Sequence, residues 1–142
     1  MSTRTVTHTS NDLAVVQKVK QVTVTTSQTL TDADAGKQYN CATDALTHTL
    51  PAITAANLGM TFTFRNTAAD GAAILRVSPA STDGINGTVA NAAADSVASG
   101  VVNKDIVNTK TTANNGDYIT LRAVSLTKWY ITDGVGIWAS EA

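Results

Sequence analysis

Cysteine is almost missing from this sequence. Cys41 stands alone among 142 residues, so no internal disulfide can form. Its setting, Tyr39-Asn40-Cys41-Ala42, is strand-like, and a lone thiol there reads as a small core residue rather than a nucleophile or ligand. Charge is sparse: 15% of residues are charged, against roughly 25% in ordinary soluble domains, and the formal net charge is -1. No block of like charge stands out, which argues against nucleic acid, because phosphate neutralisation needs a clustered basic stripe. The same lack argues against a membrane surface held by electrostatics. No apolar run approaches the roughly eighteen residues of a membrane span. Met1 to Thr9 lacks the apolar centre of a signal peptide, so synthesis and retention in the cytosol are expected. Aromatics make up only 5%, and the two prolines, Pro51 and Pro79, each follow a strand-like run and stop it.

Threonine, valine, alanine, serine, asparagine, aspartate and glycine fill most of the chain. Threonine and valine are stiff at χ1 and suit pleated strands. The length fits one domain, and folding would bury roughly two thirds of the unfolded surface. Residues 1–20 read as a separate extended arm: Thr3, Thr5, Thr7 and Thr9 alternate with Arg4, Val6 and His8, and Leu13, Val15 and Val16 follow Asn11-Asp12. So polar a segment cannot offset its own ordering entropy, so it is either a loose arm or a strand that another sheet completes through main-chain hydrogen bonds.

Residues 21–142 read as a single β-domain. Strands are expected at Val22–Val24, Lys37–Thr43, Leu46–Leu50, Met60–Arg65, Ala73–Val77, Ile106–Thr111, Tyr118–Val124 and Trp129–Thr132. Asp32-Ala-Asp-Ala-Gly36 reads as a capped turn, with Asp32 as cap and Gly36 at its end. Pro51–Gly59 is the helical candidate, one or two turns with Thr54 as N-cap and Gly59 beyond the end. Asp83-Gly-Ile-Asn-Gly87 reads as tight turns around Ile85, Thr88–Asn103 as loop with at most a short strand, and Asp133–Gly136 as a turn leading into Ile137-Trp138. Many short strands with frequent turn signals indicate an all-β, compact antiparallel sandwich or barrel, jelly-roll-like or tulip-like, with one short helical turn. Phe62, Phe64, Trp129, Ile131 and Trp138 are its expected core.

Chemistry is hard to find. His8 sits in the arm and His48 between Leu46 and Leu50, and no zinc, hydrolase or phosphate-loop spacing exists. Asp32-Ala-Asp-Ala-Gly36 lacks the later glutamate of a calcium loop. Asn86-Gly87-Thr88 matches a glycosylation sequon but, without a secretory signal, reads as a turn. Trp129, Tyr130 and Trp138 could form a sugar platform, yet core packing suits them better. The expectation is therefore no enzyme, no catalytic residue, no metal, no cofactor, no nucleic acid, no membrane and no small-molecule substrate.

One ordered set of short motifs remains: Leu30-Thr-Asp-Ala-Asp-Ala-Gly-Lys37, Leu46-Thr-His-Thr-Leu-Pro51, Asn57-Leu-Gly-Met-Thr-Phe-Thr-Phe-Arg-Asn66, Val77-Ser-Pro-Ala80, Asp83-Gly-Ile-Asn-Gly87, Gly116-Asp-Tyr-Ile-Thr-Leu121, Lys128-Trp-Tyr-Ile131 and Gly136-Ile-Trp138. The set spans about three quarters of the chain and resembles the head decoration (capsid cement) proteins of tailed phages. Related β-modules occur in phage tail fibres. The resemblance implies a homotrimer seated on the outer capsid surface, binding the major capsid protein and stabilising the shell by bridging capsomers, hence a virion location. If the chain is complete at this length, as expected here, it suits the head better than a fibre. Thr3, Arg4, Thr5, Val6, Thr7, His8, Leu13, Val15 and Val16 are the expected capsid-binding arm. The alternative is a tail-fibre or receptor-binding module with carbohydrate contacts, which would need exposed aromatics.

Overall fold

A computed structural model describes residues 18–89 and 96–141. The described residues form twelve strands: β1 Gln21–Val24, β2 Gln28–Thr29, β3 Gln38–Cys41, β4 Leu46–Thr49, β5 Thr61–Asn66, β6 Leu75–Ser78, β7 Gly84–Val89, β8 Ser96–Val102, β9 Ile106–Asn108, β10 Tyr118–Ser125, β11 Lys128–Val135 and β12 Trp138–Ser140. They build two sheets, ordered β1-β3-β5-β10-β11-β7-β8 and β12-β9-β6-β4-β2, which form a sandwich.

The sheets are mixed, which corrects the antiparallel, jelly-roll expectation. From β1 to β7 the chain changes sheet at every strand, so β1, β3 and β5 lie parallel in one sheet and β2, β4 and β6 parallel in the other. Parallel neighbours need a crossover, and here each crossover is a strand of the opposite sheet. Each circuit therefore adds one strand to each face, like a coil. Val22, Tyr39 and Phe64 occupy equivalent positions in one stack, and Gln28, His48 and Val77 in the other. The linking loops differ in length, so no sequence repeat announces the coils. An antiparallel hairpin, β10–β11, then pairs with β5 and completes the larger sheet.

Burial follows strand alternation. β5 reads half-buried, buried in turn, with Phe62 and Phe64 inside and Thr61, Thr63 and Arg65 on the outer face. Phe62 meets Trp129 edge-on at 5.7 Å, and Phe64 stacks on Tyr39 at 5.5 Å. Trp129 and Trp138 are buried, whereas Ile131 is only half-buried against the core. Full burial of each such aromatic is worth about 1.5–3 kcal/mol.

Three local readings change. The helical turn is the 3₁₀ segment Asp32–Asp34, not Pro51–Gly59. There Thr31, rather than Asp32, precedes the turn, and its N–H and hydroxyl both donate to the Asp34 carboxylate. In 51–59 the Asn57 side chain accepts from the Thr54 N–H and donates to the Ala52 carbonyl, so the segment closes as turns without a helix. Second, Gly84–Val89 is a strand, not a turn, and pairs with β8 in a region expected to be mostly loop. A Cβ on Gly84 would lie 2.3 Å from the Gly100 carbonyl oxygen, so its glycine permits close strand approach rather than a reversal. Third, β11 runs through Asp133–Val135 by pairing with Tyr118–Thr120 across a bulge, and the reversal narrows to Gly136 (φ 105°) and Ile137.

Candidate functional site

The reactive side chains come together in the core. His48 is fully buried and Cys41 nearly so, with Cys41 Sγ 3.3 Å from His48 Nε2. The His48 ring stacks on Phe64 at 5.4 Å, and its Nδ1 has no hydrogen-bond partner. Burial pushes the thiol up to about 12 and the imidazole down to about 4. Both groups are therefore neutral at pH 7, so neither the thiolate nor the imidazolium that nucleophilic chemistry requires is present. Among the described residues no three His, Cys, Asp or Glu side chains are grouped to hold a metal ion. Asp32 accepts from Asn57 Nδ2, and the Asp34 carboxylate is engaged by Thr31 and Lys37.

Buried polar groups tie elements together. Asn66 Nδ2 donates to Asn108 Oδ1 (2.9 Å), and Asn108 Nδ2 donates to Asp117 Oδ2 (2.9 Å) and to the Ile137 carbonyl (3.1 Å). This chain joins β5 of the larger sheet to β9 of the smaller one. Asp83, also buried, accepts the Ile53 N–H at 2.9 Å and anchors the long 50–60 crossover. Sequence reading missed these links because buried asparagines look like turn residues.

The outer face of the larger sheet is mostly polar. Gln21 Oε1 accepts from Gln38 Nε2 and Asn40 Nδ2, and the Thr63 and Thr120 hydroxyls lie 2.9 Å apart. Arg65 lies over the Tyr118 ring, 4.6 Å from its centroid, and Tyr118 donates to Asp133. Tyr130 is cross-strand neighbour to Arg122 and Asn86. Arginine and tyrosine are among the side chains that dominate protein contacts. Trp129 and Trp138, buried, cannot serve as a sugar platform. A groove of about 820 Å³ runs between Thr29–Ala33 and Thr49–Ala52, but no aromatic lines it.

The two ends of the sandwich differ. Edge strands β8 and β12, one from each sheet, lie against each other. At the opposite end, β1 and β2 are edges without a neighbour among the described residues. The Gln38 N–H donates to the Lys20 carbonyl, so strand alternation turns the main-chain groups of Gln21 and Thr23 away from β3. In the same way the Leu30 N–H goes to Thr49, turning those of Thr29 outward. Between these edges lies a pocket of about 270 Å³ floored by Val22, Val24, Leu30 and Tyr39, with Asp34 and Lys37 in its wall. The chain enters here, at Lys18. The expected arm residues Thr3, Arg4, Thr5, Val6, Thr7, His8, Leu13, Val15 and Val16 lie outside the described residues.

No protein-family model matches the chain, and no curated protein matches it.

Proposed function

We propose that this chain is a structural virion protein that seats as a homotrimer on the outer surface of a phage capsid, contacts the major capsid protein and stabilises the shell by bridging capsomers. The observation that carries the reading is the open β1/β2 end. Main-chain donors and acceptors from both sheets, with no strand partner among the described residues, face outward at the point where the N-terminal segment joins, which suits assembly by added strands. The Thr/Asn/Gln/Arg/Tyr face supports it, because such a surface can join neighbours by many modest contacts. The motifs behind the phage resemblance also fall on structural joints: Leu50-Pro51 ends β4, Gly59 precedes β5, and Ile85-Asn-Gly87 lies in the β7 strand that meets β11. The work is mechanical: contacts spanning adjacent capsomers oppose outward displacement of either. The tail-fibre alternative has less behind it, since both tryptophans are buried.

Mass-spectrometric quantification against the major capsid protein in purified particles tests the proposal. Copy numbers comparable to the capsid protein are expected. A few copies per particle would move the chain to the tail, and none would remove it from the virion.

A further inference from the structure

An open parallel end is a liability, because exposed strand edges recruit other chains unless something covers them. Here the exposed elements are specific: outward main-chain groups at Gln21, Thr23 and Thr29, the pocket over Val22, Val24 and Leu30, and Val19, 59% exposed beside them. Seventeen residues precede the described part and join it at this end. Within them, Leu13-Ala-Val-Val16 is the one apolar stretch, four residues long, matching four-residue β1.

The molecule's own arm cannot bring that stretch into place. Lys18–Lys20 contain no turn or bend, and Lys20 is already held by Gln38. Folded back on its own β1, Leu13–Val16 could meet Gln21–Val24 only if the chain reversed between them, and Lys18–Lys20 hold no reversal. A segment from another molecule has no such constraint. We propose that Leu13–Val16 of a second copy pairs with the free edge of β1 and closes the open end, each copy giving its arm to the next. Giving and receiving use different surfaces, so the contact is head-to-tail and can close as a ring. A direct β1-to-β1 contact, by contrast, would stop at two. The inference deepens the proposed trimer, and rests on that reading for the number three.

Running antiparallel to β1, Leu13 and Val15 would face the pocket opposite Val24 and Val22, so full-length chains carrying Val15→Cys, mixed with full-length chains carrying Val22→Cys and oxidised, test it. Cross-strand neighbours stand at a separation a disulfide can span, and Cys41 is too buried to compete. A disulfide joining the two different chains is expected. No mixed product, or only an internal disulfide in a chain carrying both substitutions, overturns the exchange. Thr23→Pro provides a second measurement, since it removes an outward N–H and leaves the β1–β3 bonds intact. Native mass should fall to that of one chain, and an unchanged oligomer would overturn the proposal. A free oligomer of two overturns the ring of three. Particles that lack the protein while the mixed disulfide still forms would sink the virion role alone.

Discussion

At the β8/β12 end the two sheets meet edge against edge, over a core that includes Trp129, Trp138 and Ile85, and a relay of buried amides binds β5 to β9. At the β1/β2 end no strand among the described residues covers either sheet, and the interior there mixes Val24 and Leu30 with Tyr39, Cys41 and His48. One end is held by packing and internal hydrogen bonds, while the other leaves main-chain groups for something outside. A sheet edge is costly to leave open, which is why the proposal places assembly on that side.

This contrast can be broken experimentally. Trp129→Ala, on the packed side, should lower unfolding free energy by about 3–5 kcal/mol in chemical denaturation. Val22→Ala at the open end should cost about 1 kcal/mol, since Val22 is only half-buried. Equal losses would erase the difference.

The second test is acid. An unfolded chain takes up the His48 proton near pH 6.5, whereas the folded chain resists until about 4, because burial disfavours the imidazolium. Stability is therefore full above pH 6.5 and falls as pH drops from 6.5 to 4, by roughly 3 kcal/mol in all. His48→Phe should remove that slope, as read from denaturation midpoints at pH 7, 5.5 and 4. An unchanged slope would place the acid sensitivity elsewhere.

Asn108→Ala comes next, at about 2 kcal/mol, because it strips a donor from the buried Asp117 carboxylate and an acceptor from Asn66. Smallest is Asp34→Ala at about 1 kcal/mol, the scale of a lost helix cap. The Asp34 carboxyl is held below its ordinary value of 3.8, chiefly by the Thr31 N–H. Its contribution is present above that value and lost as pH falls through the lowered one, below the His48 window.

Strand positions were legible where side chains alternate strictly: Phe62/Phe64 against Thr61/Thr63/Arg65, and Leu46/His48 against Thr47/Thr49. Sheet membership was not, because period two states which residues point inward but not which strand lies beside which. The parallel coils were hidden by crossover loops of unequal length. β7 was read as a turn because Gly84 and Gly87 look like turn residues, whereas Gly100 and Ile131 press so close that a Cβ would collide. Of the candidate site, the arm expected from the threonine alternation lies outside the described residues, and the open end proposed to receive it exists only once two parallel stacks are assembled.

Amide hydrogen exchange at Gln21 and Thr23 tests the central claim most directly, comparing the full-length protein with its Leu13→Asp, Val15→Asp variant. A covered end predicts slow exchange in the native chain and fast exchange at these two amides in the variant, with β8 and β12 unchanged. Fast exchange at both in both proteins would mean that nothing closes the β1 edge.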